Sequence, residues 1–257
     1  MLTGGIASLF LQALHPGAMA GVHDHSDYAH DPTGRLQRTG RFVAVTTFGS
    51  TPAAHRAIDA VKAVHGRVVG TRPDGLPYAA NDPDLLRWVH IAEVWCFLRG
   101  YQRYGPRRLG QTERDRYFDD ISVVAELLGA TNVPRSERAA NEYLASMRPH
   151  LAVSEQTLGV RRFLLAGAAT DRVSQFGYGM IVQASIGLLP RWAREMLGLR
   201  APARVQLGAV RPTLAVLFPA LRLSLGAPVV REAALARATS AAAAIAAQTN
   251  ESAEATG

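Results

Sequence analysis

Residues 82–104, DPDLLRWVHIAEVWCFLRGYQRY, decide the fold class of this chain. Asp82 is of a residue type that caps helix N-termini, and Pro83 takes the first helical position, where a missing N–H is tolerated. No further proline interrupts the run, and residues 94–98 are continuously apolar. The stretch therefore predicts one long, largely buried helix that ends near Tyr104.

The remainder of the chain repeats this pattern of apolar residues at helical spacing, broken by proline and glycine. Residues 71–81 are predicted to form a loop, and no stretch shows convincing strand alternation. Helices are predicted over residues 3–14, 33–48, 51–69, 82–104, 112–128, 135–147, 155–168, 170–188 with an extension towards 197, 202–225 and 228–248. The sequence thus predicts an all-α fold, with a single multi-helix globular domain over residues 1–248 and a disordered tail over 249–257.

The composition favours a globular protein and argues against a nucleic-acid partner. Hydrophobic residues make up 48% of the 257 positions, which is enough for a sizeable core. The net charge is +7, but Lys62 is the only lysine and the arginines are spread along the chain without a block of like charges. A DNA-binding regulator is the alternative that charge alone suggests, and salt-sensitive DNA binding would support it.

Cysteine usage and hydropathy bear on the compartment. Cys96 is the only cysteine, so an intramolecular disulfide and a cysteine-based metal cluster are both excluded. A single thiol fits a reducing compartment, and we expect a cytoplasmic location; a cleaved N-terminal signal is the alternative, because the first 22 residues are apolar. No membrane span is expected, although the apolar stretch 205–230 would suit a peripheral membrane contact. The oligomeric state is left open.

Histidines are the informative residues, since seven of the eight precede residue 91. His65 shares an apolar helical stripe with Ile58, Val61 and Val68. A buried imidazole needs a partner, which is a carbonyl, a carboxylate or a metal. His90, in the apolar segment 88–92, has the same need. For either residue alone, a core histidine satisfied by its neighbours is the more common interpretation.

Arg35, Arg38 and Thr39 are predicted to share one face of a helix that continues into the apolar Phe42. Guanidinium groups cannot be neutralised, so a partly buried arginine pair requires anions. The carboxylates of a bound cofactor would serve, and so would a surface ion-pair network with nearby aspartates.

The segment His23–Asp24–His25 places two histidines around a carboxylate, a pattern typical of metal or acid–base chemistry. One hypothesis is therefore a metal other than iron held by His15, His23 and His25. The motifs of di-iron bundles, zinc proteases, serine hydrolases, P-loop enzymes and dinucleotide-binding proteins are all absent.

Several short motifs occur in a fixed order. They are Leu-Gln-x-x-His-Pro-x-x-x-Ala-x-Val-x-x-His-Ser over residues 11–26, Asp31–Pro32, Arg35-x-x-Arg38-Thr39, Phe48–Gly49, Ala-Val-His-Gly-Arg-Val around His65, the loop 75–80 and the helix segment 86–90. As an ordered set they resemble the MpaB-like oxygenases and the bacterial latex-clearing proteins, which are rubber oxygenases. The resemblance is dense over residues 3–130.

This resemblance implies a helical fold that encloses a pocket for one haem b, with His65 as the iron ligand. It implies that Arg35, Arg38, Thr39 and His90 contact the cofactor, and that Arg38, Thr39 and Asp24 act in catalysis with dioxygen as co-substrate. The expected function is oxygenation or oxidative cleavage of a carbon–carbon double bond in an apolar, isoprenoid-like small molecule. The alternative is a non-enzymatic haem or apolar-ligand carrier on the same scaffold.

One position departs from the resemblance. Latex-clearing proteins carry a lysine where this chain has Arg38, and that lysine can cap the iron in a closed state. Arginine is not expected to ligate iron, so no such closed state is expected here.

Overall fold

The computed structural model describes residues 2–26, 31–167 and 172–200, together with Ala236. The predicted helices over 202–225 and 228–248 and the predicted tail lie outside these residues. The described part is helical apart from two three-residue strands, so the all-α prediction is confirmed. Its elements are α1 Leu2–Gln12, α2 Pro16–His25, α3 Pro32–Phe48, α4 Thr51–His65, β1 Val69–Thr71, β2 Pro77–Ala79, α5 Pro83–Tyr104, α6 Gln111–Leu128, α7 Glu137–Met147, α8 Glu155–Ala166, α9 Arg172–Ile186 and α10 Arg191–Met196, with a short 3₁₀ turn Arg148–His150.

Helix α5 is the central element of the core. Its 22 residues span about 33 Å. The side chain of Asp82 accepts hydrogen bonds from the backbone N–H groups of Asp84 and Leu85 at 2.8 and 3.3 Å, which confirms the predicted cap. Burial along α5 extends around much of its circumference, because α1, α6 and α7 all pack against it. Its fully buried side chains include Trp88, Ile91, Ala92 and Cys96.

Helix α1 packs closely against α5 and contacts α9 as well. The approach is close because Gly4 has no side chain: a Cβ there would lie 2.9 Å from both the Cys96 carbonyl oxygen and the Phe97 Cα. Phe10, Leu11 and Leu14 are almost completely buried. Burial of such side chains contributes roughly 1.5–3 kcal/mol each to stability, so this helix pair is the main stabilising contact of the core.

Two local predictions were incomplete. Helix α2 was not predicted, because its glycines and its histidine–aspartate cluster mask the apolar spacing. It begins after His15, whose Nδ1 accepts a hydrogen bond from the Ala18 N–H at 3.4 Å. Helix α4 ends at His65, four residues before the predicted end at 69.

The loop prediction for residues 71–81 missed a hairpin. Strands β1 and β2 pair antiparallel, with Val69 opposite Ala79, Gly70 opposite Tyr78 and Thr71 opposite Pro77. Gly75, with φ of +83°, forms the turn. Three-residue strands are too short to show a period of two in the sequence, which is why the pattern was not recognised.

Helices α3 and α4 pack against each other, and α4 packs against α6. The pair lies at the edge of the core. Ile58 is the buried residue of α4, and none of the described side chains of α3 is buried. Phe48 and Val64 are 39% and 49% exposed. The helices that carry Arg35, Arg38, Thr39 and His65 are therefore only partly enclosed.

Among the described helices, none is both long and apolar enough to cross a membrane alone. Helices α1 and α2 meet such a criterion only when taken together, and they are bent by 105° relative to each other.

Candidate functional site

Asp24 lies in the last turn of α2 and bonds to Tyr78 of the hairpin. The Tyr78 hydroxyl donates to Asp24 Oδ2 at 2.6 Å, and His23 Nδ1 donates to Oδ1 at 3.0 Å. These two bonds lower the pKa of Asp24, the Tyr78 bond being the larger effect. Burial and the Asp24 carboxylate together raise the pKa of Tyr78 to about 12. At neutral pH Asp24 is therefore an ionised carboxylate that accepts a hydrogen bond from the neutral phenol of Tyr78.

The Tyr78 side chain has room to reach Asp24 because Gly70, which lies opposite it in the hairpin, has no side chain. A Cβ at Gly70 would lie 2.6 Å from the Tyr78 hydroxyl oxygen, and one at Gly21 of α2 would lie 3.5 Å from the ring. Two glycines thus accommodate the ring between α2 and β1. Tyr78 was not predicted from the sequence to be a functional residue. The available signal was an aromatic residue between Pro77 and two alanines, three positions after the turn glycine Gly75.

The three histidines proposed for a different metal do not converge. His15 lies before the first turn of α2, with its ring 5.9 Å from that of Trp88, whereas His23 and His25 lie in the last turn. Ten helical residues separate the two ends by about 15 Å. His25 Nε2 donates instead to the Val69 carbonyl at 3.2 Å. In the part of the chain that the structure describes, no three metal-binding side chains form a group, so this hypothesis gains no support.

His15 serves as a helix cap rather than as a ligand. Its pKa is lowered to about 4, first by burial and then by the nearby Arg72 guanidinium. The ring is consequently neutral, and a neutral Nδ1 can accept the backbone N–H of Ala18.

The arginine motif lies at the start of α3. Arg35 Nη1 donates to the Ser26 hydroxyl, which connects α3 to the end of α2. Arg38 Nη1 donates to Asp31 Oδ2 at 3.1 Å, and its side chain is 69% exposed. Asp31 also caps α3 by accepting the Gly34 N–H at 2.8 Å. Thr39 is exposed. The prediction of a surface ion pair with an aspartate is thus confirmed for Arg38, and its guanidinium is open to a further anion.

His65 lies at the C-terminal end of α4 and is half-buried. Exposure increases along the predicted stripe, from Ile58 at 2% to the half-buried Val61, His65 and Val68. Burial lowers the pKa of His65, so the neutral imidazole is favoured. No described residue forms a hydrogen bond with its ring. The neutral imidazole is the form in which histidine binds metals.

His90 lies on α5, one residue beyond the Val89 carbonyl that accepts the side-chain N–H of Gln12 at 2.9 Å. Its Nε2 atom is buried and has no hydrogen-bond partner among the described residues. Burial lowers its pKa to about 4 and raises the pKa of Glu93, one turn further on, to about 7. An unpaired buried polar atom costs roughly 1–3 kcal/mol, so His90 needs a partner that the described residues do not supply.

A surface cleft of about 500 Å³ lies between the end of α7 and α10. It contains none of the predicted site residues. Its lining consists of Ala145, Arg148, Pro149, Trp192, Glu195 and Met196.

The motif residues thus occupy a continuous region formed by α2, the hairpin, α3, the end of α4 and the middle of α5. Residues 1–246 of the 257-residue sequence match the family described as "ER-bound oxygenase mpaB/B'/Rubber oxygenase, catalytic domain". The chain belongs to this family. No curated protein and no solved structure matches the chain. The family resemblance predicted from the motifs is confirmed, and the class of chemistry that the family's description indicates is oxygenation.

A haem suits the residues of this region in two respects. A haem iron can be held by a single protein imidazole, and His65 offers one that is neutral and has no partner among the described residues. The haem carboxylates require cations, and Arg38 has an exposed guanidinium with one weakly held aspartate. The residues present therefore offer one group of the kind that holds a haem iron and one of the kind that binds its carboxylates.

Proposed function

We propose that this chain is a haem-dependent oxygenase that acts on an apolar alkene. The observation that carries the proposal is the state of His65 at the end of α4. Its ring is half-buried, burial favours its neutral form, and no described residue hydrogen-bonds to it. Membership of an oxygenase family supports the class of reaction.

In this proposal His65 would hold the haem iron, and the haem would supply the binding of dioxygen. Arg35 and Arg38 would bind the cofactor carboxylates by charge-assisted hydrogen bonds. Arg38 and Thr39 also supply donors for oxygen atoms that gain negative charge. His90, whose buried Nε2 atom has no partner among the described residues, would be a further cofactor contact.

Asp24 is the acid–base group of the proposal. Asp24 is ionised at neutral pH, so it has no proton to give and its role is that of a base, which the lowered pKa makes a weak one. Tyr78 holds the carboxylate in place and donates the hydrogen bond that keeps it ionised. The His23 ring, which bonds to the other oxygen, is exposed and connects the carboxylate to solvent.

Cleavage of the double bond is the reaction that needs the fewest external electrons and protons. One dioxygen and one carbon–carbon double bond give two carbonyl groups, with no external electrons or protons. Insertion of a single oxygen atom would require two electrons and two protons from a reductant, with water as the second product.

The cofactor assignment is tested on the full chain purified from cells supplied with a haem precursor. We expect a Soret absorption band and about one iron per chain, and we expect both to be lost in His65→Ala. The matched control is His55→Ala, which removes an exposed histidine from the same helix and should keep both signals. Full haem occupancy in a folded His65→Ala protein would contradict the assignment.

The activity is tested by oxygen uptake with apolar alkenes. An oxygenase consumes dioxygen in proportion to the alkene and forms carbonyl products. A haem protein that binds alkenes without consuming oxygen would instead be the carrier that the sequence left as the alternative.

A further inference from the structure

Helix α5 carries two titratable side chains that the proposed reaction does not use fully. His90 and Glu93 are three residues apart, so they are neighbours on one face of the helix, with Cβ atoms about 5–6 Å apart. Both retain some accessible surface, although burial dominates the pKa of each. The two side chains therefore lie between the packed core and the outer surface, and the Nε2 atom of His90 is buried.

The surrounding elements do not satisfy either group. Helix α1, which packs against this part of α5, contains no charged side chain, and its Ser8 and Gln12 side chains donate to the backbone carbonyls of Gly5 and Val89. On α6, the Tyr117 hydroxyl donates to the Val94 carbonyl at 3.2 Å. Within the described residues, His90 Nε2 therefore has no partner, and no hydrogen bond to the Glu93 carboxyl is found.

Within the part of the chain that the structure describes, no charged side chain acts on the pKa of His90 or Glu93. Tyr117 and Cys96 are the titratable neighbours that Glu93 affects, and burial raises the pKa of both, so they are neutral. Arg99 acts on Cys96 but lies on the exposed side of α5, with its guanidinium over the Trp95 ring. Among the described residues, these two buried polar groups thus have no compensating ion.

We propose that His90 and Glu93 form a polar subsite that binds the hydroxyl group of an otherwise apolar ligand. A hydroxyl donates one hydrogen bond and accepts another. It can therefore form hydrogen bonds with the His90 imidazole and the Glu93 carboxyl at the same time. Because these two groups lie one helical turn apart, a ligand that pairs both must form two hydrogen bonds at once. An apolar molecule without a polar end would leave both groups unpaired. This inference rests on the proposed function in one respect, namely that the ligand is the oxygenase substrate.

The neutral state of His90 and the raised pKa of Glu93 fit an uncharged head group. A carboxylate head would be repelled by the ionised fraction of Glu93 and would lose its hydration on entry. Comparing the affinities of an alcohol, a hydrocarbon and an acid of the same chain length therefore distinguishes binding at this subsite from general apolar binding.

The test uses decenol, decene and decenoic acid as probes of the full chain, with iron and haem measured in every sample. Binding is followed by tryptophan fluorescence, since Trp88 lies two residues before His90. We expect decenol to bind about 10- to 100-fold more tightly than decene, which corresponds to leaving one or two buried polar groups unpaired. Decenoic acid should bind more weakly than decenol.

In His90→Leu the preference for decenol should fall to about onefold, while decene binds at least as well as before. Glu93→Met, which keeps the side-chain length, should do the same and serves if His90→Leu does not fold. Either variant should also be no less heat-stable than the original protein, because it removes an unpaired polar group. A structural role for the pair would lower the melting temperature instead. The controls are His55→Leu and Glu155→Gln, which alter exposed residues.

Three results would overturn the inference. They are equal binding of decenol and decene by the original protein, no binding of either, and a decenol preference that persists in both variants. The outcome is independent of the cofactor: a decenol preference without haem would refute the proposed function and keep the subsite. Full haem without the preference would refute the subsite alone. Loss of haem from His90→Leu with the preference intact would assign Nε2 to the cofactor.

Discussion

The hydroxyl of Tyr78 sets the proton affinity of Asp24. A carboxylate that is 38% exposed would ordinarily titrate near 4, but here a phenol and an imidazole both donate to it. Because these bonds favour the ionised form, they lower its pKa. The assignment of Asp24 as a proton acceptor therefore depends on a residue 54 positions away in the sequence.

We predict that Tyr78→Phe raises the pKa of Asp24 towards its ordinary value, since the larger of the two stabilising bonds is lost. The free energy of unfolding should fall by about 1 kcal/mol, because a partly exposed bond is removed. Carboxyl carbon-13 NMR across a pH titration measures the pKa. Asp74, whose pKa is lowered by Arg72, serves as the internal control and should not change. An unchanged pKa of Asp24 would show that the phenol does not affect it.

The close packing of helix α1 on helix α5 depends on which glycine of α1 faces α5. Gly4 and Gly5 are adjacent in the sequence and equivalent in composition, yet only Gly4 faces the backbone of α5. A Cβ at Gly5 would meet only the end of the Phe97 ring, at 3.6 Å, which is ordinary van der Waals contact.

We predict opposite results for Gly4→Ala and Gly5→Ala. The Gly4 variant places a methyl group against backbone atoms that cannot move independently, so it should reduce the free energy of unfolding by about 1–3 kcal/mol. The Gly5 variant should be neutral or stabilise the protein by up to about 1 kcal/mol, because alanine favours the helix. Urea denaturation followed by circular dichroism compares the two. Equal effects would mean that the helices are not packed as closely as described.

The stability of the whole molecule should decrease in acid because histidines are held neutral in the fold. The pKa values of His15 and His90 are lowered to about 4, from about 6.5 in an unfolded chain. Since the folded state disfavours their protonated forms, their contribution is complete above pH 6.5 and is lost as the pH falls towards 4. Each adds a slope of up to about 1.4 kcal/mol per pH unit in that window.

Urea denaturation between pH 4 and 7 measures this slope. His15→Asn keeps an oxygen that can cap α2 but cannot titrate, so it should reduce the slope. The charges around His15 include Arg72, which lowers its pKa, and Asp82, which opposes that effect. A slope identical to that of the original protein would contradict the assignment of His15.

Glu93 should act in the opposite direction. Its pKa is raised to about 7 in the fold, so its protonated form is favoured and its ionisation opposes folding. The penalty grows as the pH rises from about 4.5, the unfolded value, and is complete above about 7. The stability gain of Glu93→Gln over the original protein should therefore be larger at pH 8 than at pH 5. A gain that is independent of pH would show that Glu93 does not titrate in this range.

The sequence by itself determined the helical class, the cap and length of α5 and the ordered family motifs. These features are local, since capping, proline position and apolar periodicity depend on residues within a few turns of each other. The isolated strands of the hairpin and helix α2 were missed for the same reason: their stability comes from contacts with each other, through Tyr78 between Gly21 and Gly70, and not from their own patterns.

Only the tertiary structure decided which polar groups have partners. It placed Arg38 on the surface beside Asp31, joined Asp24 to Tyr78 and separated His15 from His23 and His25. It also left the buried Nε2 atom of His90 without a partner among the residues described. The physical reason is that hydrogen bonding and burial depend on residues far apart in the chain, which a short-range sequence pattern does not relate to one another.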